Sequence, residues 1–66
     1  MKYKESLKVE IGDRLIAMYN TSQWNKGDKV IVIEKQPEYN KCTGGRIWNE
    51  TKKIEQGCNM QSFYYV

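Results

Sequence analysis

The chain of 66 residues contains no histidine, a single proline, two cysteines and no long hydrophobic run. Cys42 and Cys58 do not form a CxxC pair, and without histidine they cannot complete a zinc site. No apolar stretch approaches the roughly 18 residues of a membrane span, and Met1 to Glu5 lead into no apolar signal core. We therefore expect no metal, no cofactor, no membrane partner, reduced and inert thiols, and a cytoplasmic location, which is the host cytoplasm if a phage encodes the chain.

The sequence also offers little for catalysis. There is no histidine to act as a base, and neither cysteine has an evident activating partner. The carboxylates Asp13, Asp28, Glu34 and Glu55 fit turns and solvated strand positions. A domain of this size has little room for a pocket that excludes water. We therefore predict that the chain is not an enzyme.

What the chain does contain is typical of one small folded domain. Hydrophobic residues make up 39% and charged residues 29%, with two Trp, five Tyr and one Phe, which is too apolar for intrinsic disorder. The net charge is +3, but the lysines are scattered rather than clustered in a stripe. The excess of lysine over arginine, with many Asn and Ile, is a bias of AT-rich coding such as that of many bacteriophages.

Short runs with strand patterns are separated by turn signals, and no helical period is present. The pattern predicts a short 3₁₀ turn over 59–62 and strands over 14–19, 29–35, 46–48, 52–55 and 63–66. Five short strands at this spacing predict an all-β domain that closes into a small barrel over residues 13–66. Residues 1–12 would then be an N-terminal extension or an extra strand.

Three pieces of the chain resemble the SH3 domain family and its bacterial and viral SH3-like relatives, over roughly residues 14–66. Ala17-Met18-Tyr19-Asn20 resembles the family's first-strand motif, Ser22 to Asp28 its diverging turn, and Ser62 to Val66 its closing 3₁₀ turn and strand. The resemblance implies a five-stranded SH3-like barrel in which Trp24 closes one end. It also implies that Val30 and Val32 point inward.

The chain departs from the peptide-binding members of that family. The acidic loop that reads a basic residue in proline-rich ligands shrinks here to Asn20–Gln23, which contains no acid. The tandem tryptophan of the proline groove is also missing, since only Trp48 stands near that position. We therefore expect the fold without proline-rich peptide recognition.

The strand over 29–35 is apolar on both faces. Strand side chains alternate, so Val30 and Val32 facing inward leave Ile31 and Ile33 facing outward. Something is expected to cover them. One candidate cover is the segment 1–12, in which Leu7, Val9 and Ile11 alternate as a further strand; the other is a partner protein or a second copy of the chain.

The leading functional hypothesis is a non-enzymatic protein-binding module, a small phage-like accessory protein that docks on a host protein as a monomer or homodimer. Its expected contact residues are Ile31, Ile33, Tyr39, Trp48 and Tyr64. The alternative is a weak RNA- or DNA-binding barrel, in which aromatic stacking combines with basic side chains. Its expected contact residues are Lys41, Arg46, Trp48, Lys52 and Lys53.

Overall fold

In the computed structural model, which describes residues 1–66, the first four strands form an antiparallel meander and the fifth pairs with the first. The elements are α1 (Tyr3–Ser6), β1 (Arg14–Ala17), β2 (Lys29–Lys35), β3 (Gly44–Asn49), β4 (Ile54–Asn59), a 3₁₀ turn η1 (Met60–Ser62) and β5 (Phe63–Tyr65). The strands form one sheet in the order β4-β3-β2-β1-β5. No helix is long and apolar enough to cross a membrane.

The all-β class, the five strands and the 3₁₀ turn before the last strand are confirmed. The sheet itself is open, with β4 and β5 as its two edges, so closure into a barrel is not confirmed. Several strand boundaries differ from the prediction. Strand β1 ends at Ala17 rather than at Tyr19, and β4 spans Ile54–Asn59 where the prediction was 52–55.

The inner face of the sheet carries the hydrophobic core. Trp24 packs on Phe63 with ring centroids 5.0 Å apart, and Val30 and Val32 are fully buried, so these three inward positions are confirmed. The core consists of Val9, Leu15, Ala17, Trp24, Val30, Val32, Ile47, Met60 and Phe63. The alternation of buried and exposed residues along β1, β2 and β3 follows from strand geometry.

Residues 1–12 form an extension and not the extra strand. Val9 is fully buried in the inner core, while Leu7 and Ile11 remain exposed. The Thr43 hydroxyl donates to the Ser6 hydroxyl at 2.7 Å, which fixes the end of α1 against the segment that precedes β3. The expectation that this segment forms a strand across Ile31 and Ile33 is therefore wrong: one helical turn replaces the strand, and Val9 enters the opposite side of the sheet.

Gly45 of β3 lies where β2 and the 3₁₀ turn η1 both approach closely, which explains why this residue is glycine. A Cβ atom at this position would collide with the carbonyl oxygen of Glu34 and with the side chain of Met60. The neighbouring strand β2 has a register shift between Val32 and Glu34, which brings its backbone over this residue. A glycine here therefore lets β2 bend over the core.

Substitution of Gly45 by alanine should destabilise the domain by about 1 to 3 kcal/mol, because the added methyl group overpacks the contact with Glu34 and Met60. Gly57→Ala in β4 is the matched control, since a Cβ there would lie 3.5 Å from its nearest neighbour, an ordinary contact. Urea unfolding of both variants measures the difference. Equal stabilities of the two variants would contradict this account of Gly45.

A chain of buried polar side chains joins the loop after β1 to β3 and β4. The Asn49 amide nitrogen donates to Asp28 Oδ2 at 3.1 Å and to Gln56 Oε1 at 3.1 Å. The Gln56 amide nitrogen continues the chain by donating to the Gln23 carbonyl at 2.6 Å. Asn49 is fully buried, and Asp28 and Gln56 are nearly so. Each of these side chains has a partner, so its burial carries no unpaired-group penalty.

The carboxylate of Asp28 is held ionised by these contacts. Burial is the largest single influence and opposes ionisation, but the Asn25 amide, the Asn49 amide and the ammonium group of Lys52 together outweigh it and lower the pKa of Asp28. Asp28 Oδ2 accepts from the Asn25 N–H at 3.0 Å and lies 3.7 Å from Lys52 Nζ. The folded state therefore prefers the charged carboxylate.

Because the pKa of Asp28 is lowered in the folded state, the stability of the domain depends on pH in the acidic range. Its contribution is fully present above the ordinary aspartate pKa of about 3.9, and it is lost as the pH falls through the lower folded-state value. Asp28→Asn should be less stable at neutral pH and should lose less stability on acidification. Thermal melts between neutral pH and the acid limit test this, and parallel curves for both proteins would contradict it.

Candidate docking face

The face of the sheet opposite the core carries a diagonal row of apolar side chains across four strands. Trp48 on β3 lies directly opposite Ile31 on β2, and Ile16 on β1 lies directly opposite Tyr64 on β5. Ile31 is paired with Arg14, two residues before Ile16 on the same face of β1. We call the surface formed by Ile16, Ile31, Trp48 and Tyr64 the outer diagonal.

These side chains are partly open to solvent. Trp48 and Tyr64 are exposed, and Ile16 and Ile31 are intermediate. Two further exposed apolar residues, Met18 and Val66, extend this face. Met18 lies two residues after Ile16 on the same side of the chain, and Val66 lies opposite Arg14, whose carbonyl accepts from the Val66 amide. Trp, Tyr, Met and Arg are enriched in protein interfaces, so the composition of this face fits a docking surface.

Both arginines of the chain flank the outer diagonal, and each has an acidic partner. Arg14 lies 3.7 Å from Glu50, and Arg46 Nε donates to Glu55 at 2.7 Å. The hydrogen bond to Glu55, followed by its charge, raises the pKa of Arg46. The apolar centre with paired charges around it resembles the core and rim of an interface.

The structure brings together Ile31, Trp48 and Tyr64 among the residues predicted to bind protein. Ile33 lies at the bulge of β2 and is partly exposed. Tyr39 is 82% exposed and stands apart in the loop between β2 and β3, where it pairs with Cys42 across a tight turn. Sequence analysis did not select Ile16 as a site residue, although the alternation of β1 already placed it on the outward face.

The residues predicted for nucleic-acid binding are distributed along the length of β3. Lys41 lies in the loop before β3, whereas Lys52 and Lys53 lie in the turn after it, so the two groups stand at opposite ends of the strand. Arg46 is paired with Glu55, and Lys52 with the nearly buried Asp28. The positive charge is therefore divided and partly neutralised.

One open cleft of about 420 Å³ lies against β4, and it is mostly polar. It is lined by Ser22, Gln23, Arg46, Ile54, Glu55, Gln56 and Gly57. Neither cysteine is among them; both thiols are free, and burial raises the pKa of Cys58 to about 12, so this thiol is protonated near neutral pH. The cleft holds ionic and amide groups, but no nucleophile paired with a base.

The chain has no match among protein-family models, curated proteins or solved structures.

Proposed function

We propose that this domain is a non-enzymatic protein-binding module that docks on a larger protein through the outer diagonal. The observation that carries the proposal is the diagonal row of apolar side chains from Trp48 to Tyr64 on a face that the rest of the chain leaves partly open. Strands β1, β2, β3 and β5 hold its four side chains in fixed relative positions. A rigid apolar surface of this kind loses little conformational entropy on binding.

The energetic reason for docking is the removal of these side chains from water. Fully burying a large apolar side chain contributes about 1.5 to 3 kcal/mol, and the partly exposed side chains of the outer diagonal gain a fraction of this. Two aromatic residues at the ends of the row supply the side-chain types that dominate interface hot spots. The paired arginines at the rim add orientation more than affinity.

The coding bias of the sequence suggests the biological form of this proposal, a phage-encoded accessory protein that acts on a protein of its host. The alternative function, binding to RNA or DNA, is distinguished from protein docking by experiment. Nucleic-acid binding depends on unpaired basic groups and weakens steeply with salt, whereas docking through the outer diagonal depends on apolar contact. Salt and nuclease therefore separate the two.

Adjacent tyrosines on β5 provide a matched pair of variants. Tyr64 and Tyr65 are 45% and 44% exposed, but Tyr64 lies opposite Ile16 on the outer face and Tyr65 opposite Leu15 on the other face. Tyr64→Ser and Trp48→Ser should each weaken capture of the partner by about tenfold or more, as hot-spot truncations do. Tyr65→Ser should bind as the native domain does.

The measurement is a pull-down from nuclease-treated bacterial lysate with the immobilised domain, followed by titration of the captured protein at two salt concentrations. Melting curves of each variant establish that it is folded. Loss of capture after nuclease treatment would favour the nucleic-acid function. Undiminished capture by folded Trp48→Ser and Tyr64→Ser variants would exclude the outer diagonal as the docking surface.

A further inference from the structure

Strand β4 is an edge of the sheet whose outward backbone groups have no partner strand. The Met60 amide bonds to the carbonyl of Thr43, its opposite residue on the β3 side. Hydrogen-bonded pairs alternate along an antiparallel ladder, so Cys58 and Gln56 also bond toward β3. The N–H and C=O groups of Glu55 and Gly57 therefore point away from the sheet, toward the open cleft beside β4.

This edge lacks the devices that usually protect one. It is six residues long, contains no proline and pairs with β3 in unbroken register, without a bulge. Its one charged side chain, Glu55, is held by Arg46 of the same chain. The other edge, β5, is only three residues long, and the Met1 amino group donates to its Phe63 carbonyl. Natural edge strands are normally short, charged, bulged or covered, and β4 has only the one paired charge of Glu55 among these protections.

Gly57 stands in the middle of this edge without a reason inside the fold. Its φ is not positive, and a Cβ atom would meet only Arg46 Nη1 at 3.5 Å and the Gly45 carbonyl oxygen at 4.0 Å. Glycine weakens a strand interior and is found where a strand bulges, where it bends, or where another backbone approaches closely. The unbroken β3–β4 register excludes the bulge, and an open edge at Gly57 has room for a second backbone to approach.

We propose that two copies of this chain pair antiparallel through β4, about a two-fold axis at Gln56, with Glu55 of each copy opposite Gly57 of the other. The N–H and C=O groups of Glu55 and Gly57 in the two copies then form two complete hydrogen-bonded pairs. The contact is isologous, because the same strand serves both sides of the interface. Its modest size predicts a dissociation constant in the micromolar to millimolar range.

The charges of β4 disfavour the register that is centred on Glu55. Shifting the axis to Glu55 would place two carboxylates directly opposite each other, which is destabilising. With the axis at Gln56, Arg46 lies beside Gly57 on its own sheet, and the missing side chain leaves a path from Arg46 to Glu55 of the second copy. On the opposite face, the exposed Ile54 meets Cys58 of the second copy.

The paired sheets form one continuous ten-stranded sheet, since each copy supplies five strands. A two-fold axis normal to the sheet keeps both outer faces on the same side, so the outer diagonals of the two copies stand side by side. The dimer is independent of the proposed docking function, because its formation is measured on the purified chain alone.

Two variants at β4 test the register. In the Gly57→Glu variant, the new carboxylate of each copy lies directly opposite Glu55 of the other copy, so like charges face each other at two places. Within its own chain the new carboxylate lies beside Arg46. The dimer should therefore weaken by about tenfold, with no loss of monomer stability. The double variant Glu55→Lys, Gly57→Glu restores opposite charges at both positions and should restore the dimer. Lys26→Gln is the control, since it changes the net charge equally at an exposed turn.

Sedimentation velocity across micromolar to millimolar chain concentrations gives the dissociation constants. Hydrogen exchange by NMR gives a second readout, because the amides of Glu55 and Gly57 should exchange freely in dilute samples and slow as the dimer forms. A native chain that remains monomeric throughout this range would overturn the proposal. So would a dimer that Gly57→Glu leaves intact, or whose formation leaves the exchange of these two amides unchanged.

Discussion

The buried carboxylate of Asp28 and the amide side chains bonded to it constrain the whole sheet. Asp28 stands where the loop after β1 enters β2, Asn49 at the end of β3, and Gln56 in the middle of β4. A thin core of nine buried hydrophobic residues leaves few contacts for the edge strand β4. The hydrogen-bonded side chains of Asp28, Asn49 and Gln56 supply the missing contacts. They hold β4 in place because an unpaired amide or carboxylate at these buried positions would be costly.

Holding β4 in this way determines both surfaces of functional interest. The inward side chains Asn49 and Gln56 fix the β3–β4 register, and the outward pairing of Trp48 with Glu55 follows from it. The rim of the outer diagonal and the free backbone of the β4 edge are therefore consequences of a buried network on the opposite face. The domain uses its inner face for stability and leaves its outer face and one edge available for contact.

Sequence alternation predicted that Val30 and Ile31 lie on opposite faces of β2, because a strand has only two faces. Since both faces are apolar, the inward direction of Val30 came from the resemblance to the SH3-like family. Reasoning from alternation failed for Leu7, Val9 and Ile11, since alternation over so few residues does not exclude a helical turn followed by a loop. The strand predicted over 52–55 was expected to end before Gly57, whereas β4 continues through this glycine to Asn59. The pairing of Arg46 with Glu55 and of Lys52 with Asp28 depends on contacts between strands that no local pattern reveals.

Residue-specific hydrogen exchange in Asn49→Ala tests most directly whether the polar chain holds β4 to the sheet. The amides of Gln56 and Cys58 bond to β3, whereas those of Leu15 and Ile16 bond within the pairing of β1 with β2 and β5. The account predicts that exchange accelerates more at Gln56 and Cys58 than at Leu15 and Ile16, because the edge opens before the rest of the sheet. Acceleration by the same factor at all four amides, or at none, would contradict it.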